Sequence, residues 1–368
     1  MGGRSLLGPA DVSDDKLAGM VADLLGHDTV EVLDSTVERV AYDVPSITTV
    51  GRHWVSGTAR TPAGEEPFRL FVKHVQAWQH SPTFQQIPAE VREIAAASYP
   101  WRIEAEVYRS DLARRLPEGL SMPRAVGVFD VDPDSVVVWL ETVPEDVAPW
   151  DLAQYERAAY LLGRLAARPG VLELSAVGNF PWDVTGYVDT RLQFDVIPQV
   201  QADETWQHPA VARLFGDDLR DRLRAACGLA DAYGRELAAL PHLASHGDAC
   251  RNNLLGGQRG DLVLIDFGLW LPKPVGHGLG QLVAGELQLG RAPTTPLGAL
   301  DERCVAAYAR GLADEGFLID IDVVRRAHAL QLFLFNGAPG LPEPGEPDDH
   351  IAARALLVRH SLDLLDAT

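Results

Sequence analysis

Residues 245–268 read SHGDACRNNLLGGQRGDLVLIDFG and contain two short apolar runs on either side of a glycine-rich segment. The runs are Leu254-Leu255 and Leu262–Ile265. A glycine-rich segment between two apolar runs is typical of a chain reversal, so the stretch predicts a β-hairpin. In an antiparallel pair, the residue that enters the first strand and the residue that leaves the second lie at the same end. We therefore expect Asn253 and Asp266 to lie close together.

The side chains at this end of the predicted hairpin are suited to bind a hard cation. Asn253 and Asp266, with Asp248 on the loop that leads into the first strand, supply two carboxylates and one amide oxygen. Mg²⁺ prefers oxygen ligands of this kind, and one carboxylate remains for proton transfer. The alternative is a surface hairpin that happens to carry polar residues. The agreement of three positions with the strand pattern argues against that alternative.

The spacing of these residues is typical of kinases. Asn253 follows Asp248 by five positions, and Asp266 begins an Asp-Phe-Gly triplet, as in the catalytic and metal-binding loops of protein kinases. The catalytic loop opens with His246-Gly247 instead of His-Arg. In this form the pattern resembles the aminoglycoside phosphotransferase and choline kinase-like family.

The resemblance implies an α+β fold of the two-lobed, protein-kinase-like type, with an antiparallel-sheet N-terminal lobe and a mainly helical C-terminal lobe. A chain of 368 residues is long enough for two such lobes. We expect residues 1–141 to form the N-terminal lobe with the nucleotide-binding elements. Residues 142–368 are expected to form the C-terminal lobe with the catalytic loop and the substrate pocket.

The resemblance also implies ATP and Mg²⁺ as cofactors, and it implies a role for each polar residue of this motif. Asp248 would orient the acceptor hydroxyl and take its proton, while Asn253 and Asp266 would hold Mg²⁺. Arg251 stands where a small residue is commoner in the family. It would either approach the γ-phosphate or form a structural ion pair, and we favour the ion pair.

Apolar periodicity predicts the first elements of the N-terminal lobe. Ser13 is a typical helix N-cap, and the helix is expected to end near Leu25, before Gly26. Four strand-like runs follow, at residues 29–33, 37–42, 48–60 and 68–75. These runs predict an antiparallel sheet.

Lysine is rare in this chain, with Lys16, Lys73 and Lys273 as its only examples. A chain that otherwise uses arginine is expected to keep lysine where a compact ammonium is required. Lys73 ends a strand-like run, and by resemblance it occupies the position that binds the α- and β-phosphates. The alternative is a solvated strand lysine.

A phosphate-binding lysine of this kind needs a carboxylate partner on the following helix. The segment Ile103–Leu112 fits the family's Glu-x-x-x-Tyr helix and points to Glu104. Glu90, Glu93 and Glu106 remain alternatives.

Two further segments are expected to contact the nucleotide. The loop at residues 43–51 lies where the family covers the phosphates, with Ser46 as a hydrogen-bonding group, although a plain hairpin turn explains the loop equally well. The strand at Val136–Leu140 would lead into the hinge, whose backbone at Glu141 and Val143 binds adenine. One more core strand is the alternative.

Residues 179–201 form an aromatic and polar stretch with poor periodicity. Such a stretch predicts a loop that lines the substrate pocket, with Trp182, Asp183 and Tyr187 as candidate contacts. A loop that only packs against the core is the alternative.

The net charge of −20 at pH 7 argues against nucleic acid or an anionic membrane as a partner, because phosphate binding needs clustered cations. It favours a cationic acceptor through long-range attraction. No run approaches eighteen consecutive apolar residues, the N-terminus lacks a signal-peptide core, and the three cysteines are scattered. We therefore expect a cytoplasmic protein in a reducing compartment.

The expected function is ATP-dependent O-phosphotransfer to a hydroxyl group of a small molecule, such as an aminoglycoside or other antibiotic, an amino sugar or a sugar. A protein kinase is less expected, because Gly247 replaces the arginine of its catalytic loop and no glycine-rich phosphate loop is found. A nucleotide-binding pseudokinase or scaffold without turnover is the alternative from another class. The combination of Lys73 with Asp248 argues against it, since a scaffold has no need of a proton acceptor.

Overall fold

The computed structural model divides the chain into two compact units. The N-terminal unit comprises Met1–Arg114, Ser121–Glu145 and Ile265–Leu269. The C-terminal unit comprises Arg115–Leu120, Asp146–Leu264 and Trp270–Thr368. Within the chain, the structure describes residues 3–41, 46–144, 148–256, 261–291, 295–342 and 345–368. The functional division between residues 141 and 142 stays a prediction.

The strands and helices follow one another in mixed order along the chain. The strands are β1 Glu31–Arg39, β2 Thr49–Thr61, β3 Gly64–Gln76, β4 Leu120–Ser121, β5 Ala125–Asp132, β6 Ser135–Glu141, β7 His242–Ser245, β8 Leu254–Gly256, β9 Leu262–Leu264 and β10 Leu271–Pro274. The α-helices are α1 Asp14–Leu25, α2 Arg92–Ala97, α3 Ile103–Arg109, α4 Leu112–Arg115, α5 Leu152–Ala167, α6 Pro169–Leu172, α7 Val184–Tyr187, α8 Ile197–Gln201, α9 Asp203–Trp206, α10 Pro209–Cys227, α11 Ala230–Ala238, α12 His277–Gln288, α13 Leu297–Asp314, α14 Ile321–Leu332 and α15 Asp348–Ala367. In the described part of the chain, no helix is both long and apolar enough to cross a membrane.

The N-terminal unit is built on a five-stranded sheet in the order β1-β2-β3-β6-β5. Each neighbouring pair is antiparallel, so the predicted antiparallel sheet is confirmed. Helix α1 begins at Ser13, whose hydroxyl accepts a hydrogen bond from the Lys16 N–H, and ends at Gly26 with a φ of 75°. This agrees with the predicted bounds, because the hydroxyl satisfies a free N–H and glycine adopts the left-handed C-cap without strain.

Strand β1 differs from the prediction. Residues 29–33 and 37–42 were expected to form two strands, whereas a single strand spans Glu31–Arg39; residue 42 lies outside the described residues. The strand pairs with β2 along its length, with one irregularity between Val32 and Asp34. Because ladder hydrogen bonds come from the backbone, the polar residues at positions 34–36 do not interrupt the strand.

The C-terminal unit is mainly helical, as predicted for the C-terminal lobe. In this unit, helices α5 and α13 pack extensively against each other. Gly163 and Gly311 lie in this contact, and a Cβ atom on either would collide with the backbone of Tyr308 or Tyr160. The two glycines therefore allow the helices to approach closely.

Three helices of the C-terminal unit meet at a buried carboxylate. Asp301 on α13 accepts hydrogen bonds from His328 on α14, at 2.8 Å, and from His360 on α15. Burial alone would raise the pKa of Asp301, but the two histidines lower it to about 2. The carboxylate is therefore a structural anion that fixes these helices against one another.

The predicted hairpin in residues 245–268 is confirmed, since β8 and β9 are antiparallel with Leu254 opposite Leu264. Its turn at residues 257–260 lies outside the described residues. Strand β7 precedes the predicted catalytic loop and pairs with β10, with Lys273 opposite Leu243.

The prediction of a loop at residues 179–201 is wrong in its secondary structure. Helices α7 and α8 flank a π-helical segment, Val188–Val196. The buried residues along it are Val184, Val188, Leu192, Val196 and Val200. Their spacing of four exceeds the 3.6 residues of an α-helical turn, so wider π turns are needed to keep them on one side.

Candidate active site

A buried ion-pair cluster in the N-terminal unit contains Lys73. Its Nζ lies 2.5 Å from Glu104 Oε2 and 2.9 Å from Asp266 Oδ1, and Lys73 and Glu104 are only 5% and 3% exposed. Burial alone would lower the pKa of Lys73, but the charges of Asp266 and Glu104 raise it above its ordinary value. Lys73 is therefore a permanent cation at neutral pH.

Among the four glutamates considered from the sequence, the structure places Glu104 against Lys73. Burial raises the pKa of Glu104, and the neighbouring Lys73 opposes that change. Glu90 and Glu93 are exposed, and Glu106 forms ion pairs with two arginines. The Glu-x-x-x-Tyr pattern of α3 thus selects the glutamate that is buried beside the strand lysine.

The triplet that begins with Asp266 is held by local packing and an unusual backbone. Asp266 has a φ of 61°, a conformation that non-glycine residues rarely adopt and that is frequent at functional sites. Phe267 is fully buried and its ring contacts Tyr108 edge-on, with ring centroids 5.8 Å apart. This packing ties the triplet to α3, the helix that carries Glu104.

The predicted catalytic loop lies in the C-terminal unit. Asn253 Nδ2 donates hydrogen bonds to the carbonyl oxygen and to Oδ2 of Asp248, both at 2.9 Å. Gly247 has a φ of 82°, so glycine suits the position that arginine occupies in protein kinases. Asp248 and Asn253 therefore form one hydrogen-bonded pair five positions apart.

Arg251 is engaged within the C-terminal unit. Its guanidinium donates to the carbonyl oxygen of Ala148 at 2.5 Å and lies 3.5 Å from Glu286 Oε2. These contacts favour the structural ion pair over a contact with the γ-phosphate.

The other predicted nucleotide contacts are Ser46, Glu141 and Val143, and Ser46 is far from the other two in the sequence. Ser46 is exposed, and its hydroxyl donates to Thr49 Oγ1 at 2.8 Å in a local turn; residues 43–45 lie outside the described residues. Glu141 ends β6, and its Oε1 accepts from the Arg124 N–H at 2.8 Å. Val143 follows β6 and is half-buried. Their roles stay predictions.

The candidate substrate contacts occupy different environments. Asp183 is exposed, and its Oδ1 accepts from the Gly186 N–H at 2.6 Å, so it caps α7. These hydrogen bonds lower the pKa of its carboxyl. Trp182 and Tyr187 are half-buried and both pack against Phe335, with ring centroids at 6.0 and 4.4 Å.

A second buried lysine adjoins these aromatic rings. Lys273 Nζ lies 4.1 Å from the ring centroid of Trp182. Burial lowers the pKa of Lys273 to about 7, although the charge of Asp248 acts in the opposite direction. Burial, and then the charge of Lys273, lowers the pKa of His277 well below its ordinary value. Neither residue was predicted as a site residue, and the scarcity of lysine is the only sequence signal that marks Lys273.

The described residues contain no group of three or more His, Cys, Asp or Glu side chains that could hold a metal ion. The predicted ligands Asn253 and Asp266 combine an amide with a carboxylate and are not a cluster of that composition. Their assignment as metal ligands stays a prediction.

Comparison with models of known protein families and with curated proteins finds no match. Among solved structures, an aminoglycoside phosphotransferase from Alicyclobacillus acidocaldarius is similar at 16% identity and a TM-score of 0.50, over 90% of this chain and 91% of that one. An amicoumacin kinase in complex with AMP-PNP and Ca²⁺ is similar at 13% identity and a TM-score of 0.48, over 90% and 88% of the chains. The choline kinase of Streptococcus pneumoniae is similar at 15% identity and a TM-score of 0.43, over 96% and 98% of the chains.

The likeness to the aminoglycoside phosphotransferase shows the fold. The predicted α+β, protein-kinase-like fold and the predicted resemblance to aminoglycoside phosphotransferases are confirmed at that level. The other two likenesses, with lower TM-scores, add no further argument.

Proposed function

We propose that the protein transfers the γ-phosphoryl group of ATP to a hydroxyl group of a small molecule, with Mg²⁺ as the metal. The observation that carries this proposal is the buried contact of Lys73 with Glu104 and Asp266, at 2.5 and 2.9 Å. In kinases, an ion pair of this kind fixes a permanent cation for the nucleotide phosphates.

Asp248 is the proposed proton acceptor of the reaction. Its carbonyl oxygen and Oδ2 accept from Asn253, which fixes the loop and orients the carboxylate. A carboxylate in this position would orient the acceptor hydroxyl and take its proton as the phosphoryl group is transferred. His246, two positions earlier, is buried and is assigned no part in proton transfer.

Asn253 and Asp266 are the proposed metal ligands. Asn253 uses its amide nitrogen for both hydrogen bonds to Asp248, so its amide oxygen is the atom suited to a cation. An amide oxygen and a carboxylate are ligands that Mg²⁺ binds readily. When bound, Mg²⁺ neutralises charge on the phosphates of the nucleotide.

The remaining assignments concern the nucleotide and the acceptor. The backbone at Glu141 and Val143 is proposed to bind adenine, and Ser46 to lie near the phosphates. Trp182 and Tyr187 are proposed to contact an acceptor such as an aminoglycoside, another antibiotic, an amino sugar or a sugar. Asp183 belongs to the same proposed surface, although its carboxylate caps α7.

The test separates phosphotransfer from nucleotide binding without turnover. ADP release is measured over a panel of hydroxylated acceptors, for the wild type and for Asp248→Asn, and nucleotide affinity is measured in parallel. We expect Asp248→Asn to lower kcat by about 10²- to 10⁴-fold with little change in nucleotide affinity. Asp218→Asn, at an exposed position of the same unit, is the control and should retain full activity.

Tight nucleotide binding with no acceptor-dependent turnover would favour the pseudokinase alternative. Turnover that persists unchanged in Asp248→Asn would exclude Asp248 as the proton acceptor.

A further inference from the structure

Three partly exposed aromatic rings of the C-terminal unit cover two buried polar side chains. The rings belong to Trp182, Tyr187 and Phe335, and we call them the aromatic rim. The Trp182 ring contacts both Lys273 and His277, and the Phe335 ring contacts His277; we call these two buried residues the polar floor. Apolar walls with a few buried polar groups are typical of small-molecule sites.

The cation of the polar floor is not compensated by an ion pair. Lys273 is 5% exposed, and among the residues that the structure describes none forms an ion pair with its Nζ within 4 Å, although the charge of Asp248 acts on it. Its close neighbour is the face of the Trp182 ring, at 4.1 Å. A cation–π contact contributes much less than the desolvation of a buried ammonium. An anion bound beside Lys273 would therefore stabilise the charged form of this side chain.

His277 adds a second group of the same kind. It is 6% exposed, and within the described part of the chain neither Nδ1 nor Nε2 has a hydrogen-bond partner. Its ring lies edge-on to Trp182 and Phe335, with centroids at 5.9 and 5.2 Å. Since buried polar atoms are nearly always paired, two unpaired nitrogens beside an unpaired ammonium point to a polar ligand.

The polar floor adjoins the catalytic loop. Lys273 lies on β10, which pairs with β7, and Ser245 at the end of β7 leads directly into the loop that carries Asp248. The charge of Asp248 acts on Lys273. A molecule held over Lys273 would therefore lie on the same side of the C-terminal unit as the proposed proton acceptor.

We propose that the phosphoryl acceptor carries an anionic group, a carboxylate or a phosphate ester, which binds Lys273 and His277, while its ring or apolar part lies on the aromatic rim. The term acceptor rests on the proposed function; the anion site itself does not. The negative charge of the whole chain favoured a cationic acceptor, but Lys273 would repel a cation at this position. The local charge decides here, because a buried ammonium interacts far more strongly with a bound ligand than do screened surface carboxylates.

The scarcity of lysine gives a direct test of binding. In protein labelled with [ε-¹³C]lysine, only Lys16, Lys73 and Lys273 contribute signals, which Lys16→Arg and Lys273→Met assign. The protein is titrated with D-gluconate, D-glucose 6-phosphate and the neutral D-glucitol. We expect a saturable shift of the Lys273 signal with one or both anions and none with glucitol, while the Lys16 signal stays unchanged.

The two anions separate the two sources of charge: a response to gluconate alone assigns a carboxylate, and a response to the sugar phosphate alone assigns a phosphate ester. Equal shifts with glucitol, or no saturable shift with either anion, would overturn the proposal. So would a shift of Lys273 with AMP-PNP alone, because it would assign this lysine to the nucleotide.

A kinetic comparison keeps the failure of this inference distinct from the failure of the proposed function. ADP release is measured with gluconate, glucitol and glucosamine, which are anionic, neutral and cationic, respectively. We expect the lowest KM for gluconate, and an increase of at least about tenfold in that KM for Lys273→Met with the nucleotide KM unchanged. Preferential use of glucosamine, unaffected by Lys273→Met, would overturn only the anionic acceptor. Absence of turnover with all three would count against the proposed function, whereas the lysine signals would still decide whether the anion site exists.

Discussion

Two lysines lie equally deep in the protein, one in each unit, with 5% of each residue exposed. Lys73 lies 2.5 and 2.9 Å from two carboxylates, and its pKa is raised above the ordinary value. Lys273 faces an aromatic ring, and burial lowers its pKa to about 7. The depth of the two ammonium groups is the same, so their different pKa values follow from their neighbours.

The difference separates two uses of a buried cation. Lys73 keeps its charge whether or not a ligand is bound, which suits a group that binds the phosphates of every nucleotide. Lys273 gains a full charge partner only when an anion binds, which suits selection among acceptors. The same substitution at the two sites should therefore change the stability of the protein in opposite directions.

The largest effect is expected from Lys73→Met. This change leaves Glu104 and Asp266 without their cation, so the free energy of unfolding should fall by about 3–5 kcal/mol. Urea unfolding followed by circular dichroism measures it. Lys16→Met is the matched control, because Lys16 is exposed on α1 and should change the stability by less than about 1 kcal/mol.

The double variant Lys73→Met/Glu104→Gln checks the cause of that loss. With the glutamate neutral, part of the lost stability should return, giving a coupling energy of about 1–3 kcal/mol in the double-mutant cycle. Strict additivity would mean that the Lys73–Glu104 contact contributes nothing beyond its two separate side chains.

The pH dependence of stability should differ between the two lysines. The folded pKa of Lys273, about 7, is below the ordinary value of 10.5, so between these values the unfolded state holds a proton that the folded state releases. Stability then rises with pH through this window, by up to roughly 1.4 kcal/mol per pH unit. Lys73, whose pKa is raised, stays protonated in both states there and contributes no slope.

The measurement is the difference in unfolding free energy between the wild type and Lys273→Met from pH 7 to pH 9. This difference cancels the other groups that titrate in the same range. The wild type should gain stability relative to the variant as the pH rises. A flat difference would show that Lys273 stays charged in the folded protein and has a compensating partner.

At pH 7, Lys273→Met should change the free energy of unfolding in the opposite direction to Lys73→Met. Lys273→Met replaces an uncompensated ammonium by an apolar chain of similar volume, so the free energy of unfolding should stay unchanged or rise by about 1–2 kcal/mol. Thermal unfolding in the absence of added anions measures it. A loss comparable to that of Lys73→Met would remove the distinction between the two sites.

Sequence patterns predicted the site around Lys73 but not the site around Lys273. The catalytic loop and the hairpin depend on residues close in sequence, so spacing was sufficient to place Asp248 and Asn253 on one loop. The choice of Glu104 among four glutamates required the packing of α3 on the sheet, which spacing only suggested. Lys273 was missed because the ring that packs against it belongs to Trp182, about 90 positions away in the sequence. The local sequence of β10 does not indicate such a neighbour.

The helical segment that follows Trp182 shows a related limit. Its aromatic and polar sequence has poor periodicity and predicts a loop, whereas the residues that the structure buries recur every four positions. The π turns keep Val188, Leu192 and Val196 buried. Side-chain spacing predicts an element well when its period is regular, and poorly when packing changes the period.

The smallest effect is expected from Trp182→Leu. The indole face is the close neighbour of the Lys273 ammonium, at 4.1 Å, and a cation–π contact of this kind contributes about 0.5–2 kcal/mol. Its removal should lower the pKa of Lys273 further, which the pH titration of the ¹³Cε signal measures directly, whereas the Lys73 signal should not move. Trp54→Leu, at a ring that lies 4.3 Å from Arg69 in the N-terminal unit, is the matched control. If the Lys273 pKa were the same in Trp182→Leu and in the control, the indole would be a packing group only, and the anion site would consist of the polar floor without electrostatic support from the aromatic rim.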